Sequence, residues 1–312
     1  MKVLIPSTTH IEIQSDDEFV TYDVNSAISV EHLDSDVLIV WQNPQWQLER
    51  SARELKNLRL VQTLASGADS VLTAGFESTV PICSGRSLHD GPVAEHALAL
   101  TLAAIRRLDR LQRSQSAHRW DTEYVRKQSA EETRSQYTLD GARVTIWGFG
   151  SIAARLAPML TALGAKVIGI ARSGGQRAGF LVLAESDSYE ALADTDVLIS
   201  LVPSNPATAD LFDDAIFSRL PHGAVFINVG RGATVDETAL RHALDEGRLR
   251  AASIDVTKTE PLSSDSPLWD APNLIITPHV AGNRPLGAQR LVASNLEALR
   301  LGQALINQVN PS

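Results

Sequence analysis

The stretch from 144 to 160 leaves this chain few folds to choose from. An apolar run, Val144-Thr145-Ile146-Trp147, breaks at Gly148-Phe149-Gly150-Ser151-Ile152-Ala153 and gives way to apolar residues at helical spacing, Ile152, Leu156, Met159 and Leu160. A strand that turns through glycine into a helix opens a βαβ unit, and such units build parallel sheets covered by helices. Gly148 permits the tight turn, Gly150 lets the backbone approach a pyrophosphate, and the small Ala153 allows close helix–strand packing. The free N–H groups at the helix start favour phosphates. On this reading Gly148, Phe149, Gly150, Ser151 and Ile152 form a dinucleotide loop.

The next apolar run, Lys166-Val167-Ile168-Gly169-Ile170, ends in Ala171-Arg172-Ser173-Gly174-Gly175-Gln176-Arg177. A site that prefers NAD carries an acid near this point, to bind the ribose hydroxyls. Here Arg172 and Ser173 offer a cation and a hydroxyl instead, with Arg177 nearby. That set suits the 2′-phosphate of NADP, so NADP is the expected cofactor, with NAD as the alternative.

The rest of the chain repeats the pattern. Val3–Ile5, Val37–Val40 and Leu60–Thr63 read as strands separated by helix-compatible stretches, which gives an α/β segment with parallel strands. From Val93 a long helix is predicted, with Arg106, Arg107 and Arg110 suited to its C-terminal end. Residues 114–140 are polar and poorly periodic, and Pro285 to Leu301 reads as one closing helix. A length of 312 residues is enough for two domains. The 28 basic residues against 37 acidic ones give a net charge of −9, which disfavours nucleic acid and anionic lipid as partners. No apolar run approaches a membrane span, and the N-terminus reads as a first strand rather than a signal peptide. The single cysteine, Cys83, is expected to fill core space, in keeping with a cytoplasmic protein.

Three later stretches each put one charged or titratable side chain just beyond an apolar run. Arg231 lies in Asn228-Val229-Gly230-Arg231-Gly232, Glu260 in Asp255-Val256-Thr257-Lys258-Thr259-Glu260-Pro261, and His279 in Thr277-Pro278-His279-Val280-Ala281-Gly282. Ligands of open α/β sheets lie at strand C-terminal ends. A guanidinium grips a carboxylate through paired hydrogen bonds and keeps its charge. An imidazole can give and retake a proton near neutral pH. A carboxylate bonded to that imidazole fixes its tautomer and favours its charged form. Nothing in the sequence suggests a metal site.

With the glycine loop, these motifs resemble the D-isomer-specific 2-hydroxyacid dehydrogenases, and the likeness covers nearly the whole chain. The resemblance implies two Rossmann-like doubly wound domains of parallel sheet with a cleft between them. Residues 1–92 plus 285–312 would bind substrate, and 93–284 would bind the dinucleotide. It implies catalysis by Arg231, Glu260 and His279, with Ser66, Gly67 and Ala68 presenting amides to the substrate carboxylate and Asp69 serving structure. It adds Val202, Pro203 and Thr208 beside the cofactor, along with Val229, Gly230, Asp255 and Gly282. It further implies a homodimer formed through the helix from Val93 and the 114–140 arm.

The expected activity is hydride transfer between NADP(H) or NAD(H) and a small 2-oxo acid, glyoxylate or hydroxypyruvate first. Trp41 and Trp46 favour such reductases or serve packing. The alternatives are a D-3-phosphoglycerate dehydrogenase-like activity, although 312 residues leave no room for an appended regulatory domain, and a dinucleotide-sensing scaffold like the family's corepressors. The segment before Val93, with Arg86 and His89, departs from the family's commoner loop. It either reaches the substrate or lies in solvent.

Overall fold

The computed structural model describes residues 1–309, so the last three positions of the 285–312 segment lie outside the described residues. The chain divides into two compact units, Met1–His89 with the chain from Asn283 onward, and Asp90–Gly282. The first junction falls ahead of Val93 because the long helix already begins at Asp90.

The first unit is a parallel sheet of β1 (Lys2–Pro6), β2 (Glu18–Tyr22), β3 (Val37–Val40), β4 (Leu60–Thr63) and β5 (Ile82–Cys83), in the order β2-β1-β3-β4-β5. Helix α1 (Gln45–Glu54) follows β3, and the short α2 (Asp69–Thr73) follows β4. Alternate strand residues face opposite sides. Leu4, Leu38 and Val61 pack under Leu48 and Val71 on one face. Val3, Val37, Ile39 and Leu60 meet Leu291, Val292 and Leu296 of the helix Ala288–Leu301 on the other. The C-terminal helix therefore completes the first unit. A buried amide pair locks it there, with Asn295 Nδ2 donating to Gln62 Oε1 at 2.6 Å. Cys83 is fully buried beside it, and burial pushes its thiol up to about 11, which suits an inert core residue.

In the second unit, α3 (Asp90–Ile105), α4 (Leu108–Ser116) and α5 (Thr122–Ser129) precede the sheet. Its strands are β6 (Arg143–Trp147), β7 (Lys166–Ala171), β8 (Gly175–Arg177), β9 (Phe180–Ala184), β10 (Val197–Ser200), β11 (Ala224–Asn228), β12 (Leu249–Ile254) and β13 (Leu274–Ile276), with α6 (Ser151–Ala162) after β6. They run in the order β13-β12-β11-β10-β6-β7-β9-β8, and only the β8–β9 pair is antiparallel. Val144, Ile146, Val197, Ile199, Val225 and Ile227 face α3 and α6, while Leu198 and Phe226 face the aromatic cluster of Phe212 and Phe217. Strand order reverses between β6 and β10, so their C-terminal ends flank the crevice where doubly wound sheets bind ligands.

Two segments differ from the sequence reading. The polar stretch after 114 carries α5, capped by Asp121, which accepts from the Tyr124 amide at 3.0 Å. The Arg110 guanidinium beside Asp121, and then that amide, hold its carboxyl well below the usual carboxylate range. Hydrophobic periodicity misses this helix because side-chain capping and ion pairs, rather than a broad apolar face, support it. The stretch after Ala171 forms a hairpin that the sequence reading does not resolve. Ala178 and Gly179 join β8 to β9 at φ 50° and 85°, the two positive angles of a tight hairpin turn. Ala-Gly is a weaker turn signal than Asn-Gly, and β8 is only three residues long. Among the described residues no helix is long and apolar enough to cross a membrane, and no cluster of side chains is arranged to hold a metal ion.

Candidate active site

The glycine loop is set by close backbone contacts. The amides of Gly148 and Phe149 both donate to the Ile170 carbonyl, at 2.9 and 3.2 Å, which folds the chain sharply off β6. Gly148 sits at φ 97°, and a Cβ there would lie 2.6 Å from the Leu201 carbonyl carbon. A Cβ on Gly230 would lie 2.8 Å from the Val202 carbonyl oxygen. The ends of β6, β10 and β11 thus meet backbone to backbone, and side chains at 148 or 230 would push them apart. We expect Gly148→Ala to destabilise the protein by about 1–3 kcal/mol, read as a lower denaturant midpoint with unchanged slope. Space beside Gly150 is open, and Ser151 begins α6, so the loop fits a pyrophosphate at a helix N-terminus. Phe149 serves differently from its neighbours. Its ring is buried against Phe180 at 6.0 Å, leaving only its backbone to face a ligand.

Beyond β7, Arg172 and Ser173 are exposed, and no hydrogen bond or ion pair engages the Arg172 side chain among the described residues. Arg177 comes back along β8 and is occupied. Its guanidinium donates to the Phe149 carbonyl at 3.1 Å, and to the carbonyl and hydroxyl of Ser173 at 2.7 and 2.8 Å. It therefore ties the hairpin to the glycine loop, a role the sequence reading misses. Across the crevice Val202 is buried and Pro203 exposed. Thr208 closes their loop, with its hydroxyl donating to the Pro203 carbonyl at 2.8 Å and accepting from the Asn205 amide at 2.9 Å.

Arg231 leaves the end of β11 on a turn locked by Asn228, whose side chain is fully buried. Asn228 Oδ1 accepts from the Gly230 amide at 3.0 Å, and its Nδ2 donates to the Arg231 carbonyl at 3.2 Å. The signal was present in the sequence, since asparagine favours such self-closing turns. Val229 is buried beneath the turn. Arg231 Nη1 donates to the Gly230 carbonyl at 2.8 Å, and among the described residues no carboxylate pairs with this guanidinium. A structural ion pair is therefore not what holds it.

His279 and Glu260 come together from different loops. His279 Nδ1 lies 2.6 Å from Glu260 Oε2, while Glu260 Oε1 accepts from the Thr257 amide at 3.1 Å. An ionised carboxylate can only accept, so Nδ1 carries the hydrogen and Nε2 is left for proton exchange. Both side chains are partly open to solvent, beside a cavity of about 720 Å³ whose apolar wall includes Leu262, Trp269 and Pro278. Asp255 is buried and turned toward the His279 segment, accepting from the amides of Val280 and Ala281, each at 3.0 Å. Gly282 ends the unit directly after them.

In the first unit, Ser66, Gly67 and Ala68 connect β4 to α2, and among the described residues their amides have no acceptor in the chain. Asp69 begins α2, where a carboxylate suits the helix dipole. His89 is not in solvent. It is buried, stacks on Trp41 at 5.3 Å, and hydrogen-bonds the Leu64 carbonyl at 2.8 Å through Nε2. It supports the loop that carries Ser66 rather than lining a surface. Arg86 and Trp46 are exposed.

Known proteins bear directly on this arrangement. Residues 98–281 match the family described as D-isomer specific 2-hydroxyacid dehydrogenase, NAD binding domain. Glyoxylate/hydroxypyruvate reductase A of Serratia proteamaculans is 33% identical over 278 residues, covering 86% of this chain and 84% of its own. A D-isomer specific 2-hydroxyacid dehydrogenase family protein from Aeromonas salmonicida has a similar structure, with TM-score 0.82 and 26% identity over 99% of this chain and 98% of that one. So has the NADPH-dependent glyoxylate/hydroxypyruvate reductase from Sinorhizobium meliloti, solved with NADP and sulfate, with TM-score 0.79, 26% identity and the same coverage. With the glycine loop at the sheet's switch point and the histidine–glutamate pair at its strand ends, the chain belongs to the D-isomer-specific 2-hydroxyacid dehydrogenase family.

Proposed function

We propose that the protein is an NADPH-preferring reductase of small 2-oxo acids, with glyoxylate and hydroxypyruvate as its first substrates. The observation that carries this reading is the 2.6 Å bond between His279 and Glu260 in the same unit as an Arg231 guanidinium that no carboxylate neutralises among the described residues. The glycine loop, Val202, Pro203, Thr208, Val229, Gly230 and Gly282 would hold the dinucleotide. The chemistry that a dinucleotide held there would supply is a hydride for the carbonyl carbon of the substrate. Arg231 binds the substrate carboxylate and draws electron density onto the ketone oxygen. His279 gives that oxygen a proton from Nε2, and Glu260, 2.6 Å from Nδ1, holds the ring in register. The names of the Serratia and Sinorhizobium relatives support the choice of substrate.

A panel of 2-oxo acids assayed with NADPH and NADH tests the reading. Turnover of glyoxylate or hydroxypyruvate is the expected result, and dinucleotide binding without turnover would establish a sensor instead.

Arg172 and Ser173 set the coenzyme preference. A charge-assisted hydrogen bond contributes about 1.5–3 kcal/mol, and each 1.4 kcal/mol is about tenfold. The kcat/KM ratio should therefore favour NADPH by about 10- to 100-fold, and combining Ala171→Asp with Arg172→Ala should shift it toward NADH. Both measurements need fixed salt, because Arg172 is exposed and screened. Equal use of NADH by the wild type would remove Arg172 from this role.

The protein would act in the cytoplasm as a homodimer. Leu108, Trp120 and Val125, exposed by 50%, 84% and 51%, give the segment before β6 an apolar surface that a second copy would cover. Sedimentation at micromolar concentration should show a dimer, and a monomer would contradict it.

A further inference from the structure

We infer that His96, on α3, is a positioning residue for proton transfer, acting on His279 through Asp255 and Thr277. The inference rests on His279 being the proton carrier proposed above.

His279 is not held by its ring alone. Its backbone lies at φ 53°, a region that residues other than glycine occupy when their surroundings fix them. The fixing contacts converge on one carboxylate, that of Asp255, which is 1% exposed. Its Oδ1 accepts from the Thr277 hydroxyl at 2.5 Å and the Val280 amide at 3.0 Å, and its Oδ2 accepts from the Ala281 amide at 3.0 Å. The His279 amide itself donates to the Asp255 carbonyl at 2.8 Å. The chain on both sides of His279 thus hangs from Asp255.

His96 closes this arrangement from a different element. Its Nε2 lies 3.1 Å from Thr277 Oγ1 and 3.3 Å from Asp255 Oδ1. The Thr277 hydroxyl hydrogen is already given to Asp255, so the Thr277 oxygen can only accept. Both neighbours of Nε2 are therefore acceptors, which fixes a hydrogen on that nitrogen. One N–H then bridges the two groups that orient the His279 turn. Among the described residues, His96 is the one basic side chain within ion-pair distance of Asp255. Packing does not require it, since α3 buries Val93, Ala94, Ala97 and Leu100 on the sheet without it. Losing the bridge would leave Asp255 its three donors from Thr277, Val280 and Ala281 but remove the one N–H that spans Thr277 Oγ1 and Asp255 Oδ1, so the turn would lose its tie to α3. Misplacing a reacting group by about 1 Å costs about 100-fold in rate.

The test is kinetics on the full enzyme with glyoxylate, hydroxypyruvate and NADPH, using His96→Ala, His96→Gln and a double-mutant cycle with His279→Ala. His96→Ala should lower kcat about 10- to 100-fold while the Kd for NADPH and the Tm stay near wild type. His96→Gln, whose amide N–H can still bridge, should recover part of the loss. Added to His279→Ala, His96→Ala should remove no further turnover, because both changes act on the same proton. Additive losses in that cycle, or a kcat loss accompanied by a matching collapse of Tm and NADPH binding in both His96 variants, would overturn the role of His96. Near wild-type turnover by His279→Ala alone would instead overturn the proton-carrier reading beneath it.

Discussion

Replacing His279 is expected to lower kcat for 2-oxo acid reduction about 100- to 10,000-fold, the range that general acid catalysis contributes. Two variants separate chemistry from backbone strain. Because residue 279 lies at φ 53°, alanine there adds a conformational penalty, whereas asparagine tolerates the left-handed region. His279→Asn and His279→Ala should therefore lose similar turnover, with the asparagine variant the more stable in a melt. Affinity for the dinucleotide should change little in both. Glu260→Gln should fall between these variants and wild type. The amide oxygen can still accept from Nδ1, but the carboxylate charge beside the ring is gone. Wild-type kcat in His279→Asn would reject His279 as the proton carrier.

Arg231→Lys should be nearly as damaging, with kcat/KM falling about 100- to 1,000-fold. A lysine ammonium is a point charge and cannot reproduce two parallel hydrogen bonds to a carboxylate. The side chain would also have to act from a turn shaped for arginine, whose Nη1 donates to the Gly230 carbonyl. The loss should divide between KM and kcat, because the role proposed for this guanidinium joins binding of the carboxylate to polarisation of the ketone oxygen. Intact kinetics with the 2-oxo acid in Arg231→Ala would make this residue structural.

How far the sequence could be read depended on the range of the interactions involved. Strands such as Lys2–Pro6, Val37–Val40 and Ala224–Asn228 are legible because burial on both faces of a parallel sheet demands near-continuous apolar runs. The glycine loop is legible because its residue types answer local backbone geometry. Helix α5 and the β8–β9 hairpin escape that reading, since one depends on a cap and ion pairs and the other on positive φ angles at Ala178 and Gly179. In the candidate site, Arg231, Glu260 and His279 stand out through their short motifs. The residues that hold them do not. Asn228 acts on its own turn, but His96 and Thr277 meet across 181 positions, a distance at which one sequence carries no contact signal. His89 fails for the same reason, because its carbonyl partner on Leu64 lies 25 positions upstream.

The tie made by Arg177 sets a limit on redesign. A common way to convert such an enzyme to NADH would be to neutralise every basic side chain after β7. Here that strategy would treat two arginines alike although they do different work. Arg172 is exposed and uncommitted, so it can be exchanged freely. Arg177 fastens the hairpin to Phe149 and Ser173, so its removal would slacken the phosphate turn and weaken NADH and NADPH alike. A directed-evolution library should therefore randomise 171–173 and keep 177 fixed, and a graft from a relative should carry the hairpin from Gly175 to Ala184 as one piece.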